Sequence, residues 1–475
     1  MKPTILAPIL SEFSNLKFSD KRLKKRFVKI VEAAERLPAA SLPKRSESTA
    51  ALEGTYRFLD NPAVVPEEIL DAHVQCTCAR AAEHEKVLIL HDTTTFRFGG
   101  NNEREGLGRV NGKSGHGFMA HYSICTSMNH EPLGTLGLYA WARQKKKIER
   151  KEQQALYKSS EEKESFRWID AAINTGAMLA DKTIPIHVMD REGDTLELFS
   201  FLLDSNQKFV IRMCHDRRIN SGRKESRKLY KKLNEAKFFG TIDANISTKR
   251  DNKIASKSHG LTIRKQRKAK LEIKACKQEI FASVGTPSHF PQSITLNFVE
   301  VSEPRPPHGE EPVVWRLATT EPIDTLEQTV EIIDIYRKRW LIEEFFKGIK
   351  TGCTYERYQL ADSAALMTML AIESTIAWNM LRARWLTHYD PGADGSKILN
   401  KIQLGLLREN AKEHNRKLPK RPTAKQVLYE IAAVGGHQKN NGPPGWLTLR
   451  RGFDDLLSME KGYYFAQRLR LVTDL

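Results

Sequence analysis

Apolar positions near the N-terminus recur every three to four residues, then give way to short unbroken or alternating runs, so the chain changes character along its length. In KRLKKRFVKIVEAAERL, Leu23, Phe27, Ile30 and Ala34 share one face at helical spacing. Asp20 stands where an N-cap belongs, and Arg22, Lys25, Arg26 and Lys29 crowd the opposite face. A second helix is expected through residues 50–58, stopped by Asp60-Asn61-Pro62. Strand signals take over from about residue 85, at residues 87–90, 121–128 and 136–141. The Gly- and Asn-rich stretch 99–117 reads as an irregular, mobile connection. Helix 164–179, strand 184–190, helix 195–203 and strand 208–213 then alternate, which predicts an α/β fold, a mixed sheet with helices on its faces.

Residues 214–300 break that rhythm, because basic stretches separate alternating segments such as 294–298. A β-rich insertion with charged loops is expected, closed by SEPRPPHGEEP and a strand at 313–318. A long helix carries IDIYRKRWLIEEFFKGIK, and helical signals resume beyond Ala365, with breaks at 389–395 and 435–444. The domain reading is therefore helical over 1–66, α/β over 67–387 with a β insertion at about 214–312, and helical over 388–475.

Composition narrows the class. The 475 residues are 40% hydrophobic and 28% charged, enough to bury a core, which excludes a disordered or fibrous chain. The 76 Lys and Arg against 58 Asp and Glu give a formal charge of +18, and such an excess favours a polyphosphate partner that releases counterions on contact. The longest apolar stretches read as short beside the roughly 20 residues of a membrane span, and no export signal is legible, so no membrane is expected. Six cysteines without zinc-ribbon or thioredoxin spacing are expected to be reduced thiols of a cytoplasmic protein.

Two aspartates close apolar strands, Asp92 in VLILHD and Asp190 in IPIHVMD, at the edge where open α/β sheets place functional groups. Either alone would pass for a turn-forming cap. On the long helix, Tyr336, Arg339, Glu343 and Lys350 stand at spacings of 3, 4 and 7, one face over roughly 21 Å at 1.5 Å per residue. Ile335, Ile342, Phe345 and Ile349 are left to bury the other sides. Such a stripe by itself is equally an i,i+4 ion-pair ladder. With the two strand-end aspartates, Glu343 completes three carboxylates, the ligand set that hard divalent cations take, two Mg²⁺ at about 3.5–4 Å in the two-metal case. Arg339, Lys350 and Lys347 would face phosphates and Tyr336 would hydrogen-bond one; Trp340, off the stripe, reads as packing.

These residues resemble the cut-and-paste transposases of bacterial insertion sequences, the IS-four family and its Tn-five type. The signature Tyr-x-x-Arg-x-x-x-Glu-x-x-x-x-x-x-Lys is met at Tyr336, Arg339, Glu343 and Lys350, and HDTTTF and MDREGD match the two catalytic aspartates. GTYRFLDNP, SEPRPPHGEEPVVW and IAAVGGHQ…GWLTLRRGF extend the likeness over nearly the whole chain. The resemblance implies a ribonuclease H-like catalytic domain with a β insertion, flanked by a helical DNA-binding N-terminal domain and a helical C-terminal dimerisation domain. It implies Asp92, Asp190 and Glu343 as catalytic metal ligands for Mg²⁺, with Mn²⁺ substituting, and Arg22, Arg26 and Arg57 as contacts to terminal DNA. Lys44 and Arg45 join them on charge and position alone. Trp315 matches a tryptophan that stacks a flipped base, although a core tryptophan on a strand fits equally. Arg212 matches a basic residue beside the active site, but Cys214 stands where the family continues with Lys. Expected partners are double-stranded DNA, both transposon ends and target, and a second copy in a dimeric synaptic complex that cuts through a hairpin intermediate. The competing reading is a DNA-binding regulator that dimerises without cleaving.

Overall fold

The computed structural model describes residues 9–100, 104–110, 116–142, 166–179, 183–219, 228–251, 261–283, 286, 289–438 and 442–473. These pack as two units: Met1–His84, Thr93–Lys147 and Leu341–Leu475 in the first, Glu85–Asp92 and Ile148–Trp340 in the second. Parts of the basic stretches expected as loops (220–227, 252–260) and of the connection expected at 99–117 (101–103, 111–115) lie outside the described residues, as do the first two residues of the helix expected at 164–179.

The first unit opens with helices α1 (Lys21–Arg36), α2 (Leu42–Arg45), α3 (Thr49–Leu59) and α4 (Pro66–Ala81). Asp20 caps α1 as its sequence predicts, accepting from the Arg22 N–H at 2.7 Å. Phe27, Ile30, Val31 and Ala34 are buried, and Phe27 meets Phe13 edge-on at 5.1 Å. Strand β1 (Lys86–Phe98) starts in the second unit and finishes in the first, where its end lies in the hydrogen-bonded order β2 (Gly108–Arg109), β3 (His116–Ser127), β1, with β4 (Pro132–Trp141) on β3. The short β2 corrects the expectation that 99–117 lacks regular structure: Gly108 and Arg109 pair with Gly117 and His116 at the start of β3.

In the second unit α5 (Phe166–Leu179), β5 (Ile184–Met189), α6 (Leu196–Asp204), β6 (Lys208–Arg212) and the short α7 (Leu229–Asn234) precede the strands β7 (Lys237–Ile246), β8 (Lys249–Asp251), β9 (Leu261–Arg264), β10 (Arg267–Phe281), β11 (Ser293–Ser302) and β12 (Val314–Thr319). The sheet order is β1-β5-β6-β12-β11-β10-β7, parallel across β1, β5 and β6 and antiparallel from β6 onward. The residues read as a β-rich insertion therefore extend the sheet, and β8 and β9 form a separate hairpin ladder. Phe199, Phe209, Phe298, Leu198 and Ile211 fill the core between α6 and the strands. Helix α8 (Leu326–Lys338) begins behind a capping box made by Thr325 and Gln328.

The remaining helices belong to the first unit: α9 (Trp340–Lys347, its first residue excepted), α10 (Ser363–Tyr389), α11 (Lys401–Glu413), α12 (Ala424–Val434) and α13 (Trp446–Thr473). Long enough and apolar enough to cross a membrane by composition, α10 is nonetheless a core helix: 78% of that window is buried inside the protein. The sequence reading that only short apolar stretches occur is corrected at this point, since polar residues such as Glu373 interrupt the run without ending it. None of the six cysteines is joined in a disulfide.

Candidate active site at the sheet edge

Strand register brings the two aspartates together. In the parallel pair β1·β5, Leu90 faces Val188, so continuing by two residues sets Asp92 opposite Asp190, on neighbouring strands whose axes lie about 4.8 Å apart. Met189 faces Ile211 in β5·β6, which sets Asp190 opposite Arg212, and Arg212 is itself paired with Leu317 on β12. Asp190 leaves the carboxyl end of β5 and Arg212 ends β6 one strand further on, whereas Asp92 does not close its strand as the sequence suggested: β1 runs on to Phe98, so Asp92 lies mid-strand.

Each aspartate is held locally. Asp92 Oδ2 accepts from Arg339 Nη1 at 2.9 Å, and both side chains are 13% exposed. Asp190 keeps extended backbone and its Oδ1 accepts from the Glu192 N–H at 2.9 Å, closing the turn that follows β5. On the opposite face of the same strands, His91 Nε2 and His187 Nδ1 lie 2.9 Å apart in full burial, and His187 Nε2 faces Gln207 Oε1 at 3.3 Å. Burial pulls the His187 imidazole down to about 4, so it is neutral near pH 7.

The expected stripe on a single helix is corrected in its geometry. Arg339 is a turn residue between α8 and α9, its N–H bonded to the Tyr336 carbonyl three residues back, and a π-helical turn over Gly348–Gly352 carries Lys350. Tyr336 is buried at 5%, its ring edge-on to half-buried Trp315 at 5.8 Å, so it packs beneath the surface instead of lying open for a phosphate. Trp340, read as packing, is 56% exposed. The supporting positions Ile335, Ile342, Phe345 and Ile349 are buried as expected.

In the first unit Glu343 is half-buried on α9, and Lys350 Nζ donates to the Thr95 carbonyl at 2.8 Å, 5.3 Å from the centre of the Phe96 ring. Burial lowers the Lys350 pKa from its ordinary value, opposed by the carboxylates of Glu356 and Glu343. Lys347 is exposed and donates to Glu344 at 2.7 Å.

The basic residues assigned to DNA divide into surface and core. Arg22 is 92% exposed beside Asp20, and Lys44 and Arg57 are exposed. Arg26 lies over Gly54 of α3, where a Cβ would stand 2.3 Å from the guanidinium, and donates to the Ala51 carbonyl at 3.3 Å. Arg45 corrects its assignment as a DNA contact. It is 5% exposed, and its guanidinium donates to Glu373 at 2.8 Å, to the Tyr358 hydroxyl at 2.7 Å and to the carbonyls of Leu37 and Pro38. Charge and position mark a basic residue but cannot show that its carboxylate partner stands 328 residues on.

Sequence reasoning passed over Asp194. Its buried carboxylate accepts from the N–H groups of Cys214 and His215 at 2.7 and 2.8 Å and from Arg217, which ties down the segment that follows Arg212, the last residue of β6. Asp194, Cys214 and His215 have metal-ligand proximity, yet a carboxylate already bonded to two amides and a guanidinium is a loop clamp. The repeated acid of DREGD was the signal available for it.

Comparison with known families identifies two segments of the chain. Residues 9–64 match the family model described as transposase DNA-binding, and residues 169–380 match the transposase DDE domain. The latter span contains Asp190 and Glu343 and stops short of Asp92 on its N-terminal side. A DDE domain implies a ribonuclease H-like fold, with which the mixed sheet agrees. The protein is a DDE-type transposase, an enzyme acting on DNA with divalent metal ions.

Proposed function

We propose that this transposase is of the IS-four family, Tn-five type: it binds terminal inverted repeats, cleaves both strands through a hairpin and joins the freed 3′ ends to target DNA. The observation that carries the reading is the β1·β5 register, Leu90 with Val188, which extended by two residues sets Asp92 opposite Asp190, two hard oxygen donors on adjacent strands. Such a donor set fits Mg²⁺, with Mn²⁺ as substitute, and Asp92, Asp190 and Glu343 would hold the ions, two per site. Bound there, the cations would supply activation of the attacking water or 3′-hydroxyl and stabilisation of the leaving oxygen. Arg339 orients the Asp92 carboxylate through its 2.9 Å bond. Arg212, Lys347 and Lys350 bind the phosphates of the strand being cut, and Trp315 receives an unstacked base, with Tyr336 fixing its ring from the side.

The N-terminal helices meet the terminal repeats through Arg22, Arg26, Lys44 and Arg57. Three functional domains follow, 1–66, 67–387 and 388–475, the last forming the homodimer of the synaptic complex. The protein works in the bacterial cytoplasm, on the nucleoid.

A supercoiled plasmid carrying the gene's own flanking ends tests this reading. The wild-type protein with Mg²⁺ is expected to release a fragment cut at the repeats, and neither EDTA-treated nor Glu343→Ala protein should do so. Ends bound equally by all three and never cut would instead favour a regulator that dimerises on DNA.

A further inference from the structure

Helix α9, which bears Glu343, has eight residues and passes directly into the π-helical turn Gly348–Gly352, a local change of winding. Such a change lets the roll of α9 about its axis be trimmed by what packs on it. One side is apolar: Phe345 and Phe346 meet the Tyr122 ring at 5.3 and 5.7 Å, and the Tyr122 hydroxyl pairs with Ser374 at 2.9 Å. Apolar contact of this kind is tolerant of small rotations.

The other side is directional. Trp446, the first residue of α13, is buried at 6%, and its indole Nε1 donates to Glu344 Oε2 at 2.9 Å. Lys347 donates to Oε1 of the same carboxylate at 2.7 Å, and Arg384 lies 3.5 Å from Oε2. The Trp446 ring rests on Gly348 and Gly352, where a Cβ would stand 3.4 Å from ring carbons. Arg384 lies 4.8 Å from the ring centre and donates to the Pro444 carbonyl at 2.8 Å, which fixes the segment entering α13. Adjacent helical residues are set about 100° apart around the axis, so holding Glu344 also sets the direction of Glu343.

We infer that Trp446 is a positioning residue: through its hydrogen bond to Glu344, the start of the C-terminal helix sets the roll of α9 and hence the aim of the Glu343 carboxylate. The inference rests on the proposed role of Glu343 as a catalytic metal ligand.

The test uses the full chain and single-turnover cleavage of a plasmid bearing its own ends, with end affinity and thermal midpoint measured alongside. Trp446→Phe keeps a ring on the two glycines and removes the donor; it is expected to lower the cleavage rate constant about tenfold, with end affinity and midpoint unchanged. Glu344→Ala should fall equally. Glu344→Gln, whose amide oxygen still accepts from the indole, should stay within about twofold of wild type. The Trp446→Phe/Glu344→Ala double variant should be no slower than either single one, because both remove one interaction. Wild-type cleavage by Trp446→Phe, multiplicative losses in the double variant, or a parallel fall of affinity, midpoint and cleavage would each overturn the inference. Glu343→Gln separates the two readings: if it still cleaves, the role of Glu343 fails whatever the Trp446 variants do.

Discussion

Carboxylates serve two opposite uses in this protein, and one pair of examples from each unit shows the difference. In the second, Asp92 and Asp190 stand on adjacent strands, Asp92 with Arg339 and Asp190 with a backbone N–H. In the first, Glu373 is fully buried against Arg45 and Tyr358, and Glu12 is buried against Arg80 and His73. A buried carboxylate matched to its own guanidinium is a fastening whose loss is felt in stability. Carboxylates on adjacent strands that are not both matched by a guanidinium are the kind that, on the proposed function, cations from outside the fold would complete.

Breaking the first kind should separate activity from stability. Asp190→Asn is expected to reduce end cleavage by more than about 10³-fold while the urea midpoint holds, since the amide oxygen can still accept the Glu192 N–H. Equilibrium unfolding alongside a plasmid cleavage assay measures both. Glu373→Ala should behave in reverse, leaving Arg45 buried without its carboxylate and costing about 3–5 kcal/mol of unfolding free energy. If urea titration shows less than about 1 kcal/mol, the Arg45 cluster is not the fastening described here.

Acid sharpens the contrast. Glu12 is pulled down to about 2 from its ordinary value: burial opposes its ionisation, and the bonds from His73 and Arg80 outweigh it. A carboxylate held low contributes stability that is complete above its unfolded value and is lost as pH falls from about 4.5 through about 2, on the order of 3 kcal/mol in all. His73 adds in the same direction, because burial lowers its pKa. Its Nε2 accepts the Thr135 N–H while Nδ1 faces Glu12, the pattern of a neutral ring, and protonation would destroy it. Melting curves between pH 6 and pH 3 should therefore fall less steeply for Glu12→Gln than for wild type, from a lower starting point. The smallest effect is expected at Lys44→Ala: end affinity a few-fold weaker, the salt slope reduced by about 1, and the unfolding midpoint unchanged. Arg45→Ala, one residue along, should instead lose stability first.

Elements with a one-sided apolar pattern and a cap were legible from sequence, α1 behind Asp20 above all, and so was Asp190 at the end of β5; Asp92 was misplaced, since the apolar run ends there but the strand continues through polar residues to Phe98. Helix α4 was passed over because Ile69, Ala72, His73, Val74 and Ala81 are buried on several sides, which erases the stripe that periodicity detects. The turn at Arg339 was hidden because Tyr-Arg-Lys-Arg-Trp reads as continuous helix, and the change is only local: Arg339 keeps helical dihedrals while its N–H bonds to the Tyr336 carbonyl three residues back. Register between β1 and β5 depends on pairing across some 98 residues, as Leu90 with Val188 shows, so no local pattern could bring Asp92 beside Asp190. Trp340 was misjudged for the opposite reason: hydrophobicity predicts burial, but 56% of this side chain's residue surface is open.

Strand β1 lends its first half to one unit and its second half to the other. Anyone dissecting the enzyme should therefore expect no autonomous half-molecule at the edges of the recognised DDE segment. A fragment limited to residues 169–380 would keep β6 but strip β1 from the other side of β5, leaving a bare template for aggregation, and would discard Asp92 with the missing strand. Dividing this protein by family boundaries would thus cost solubility and the candidate site at one cut.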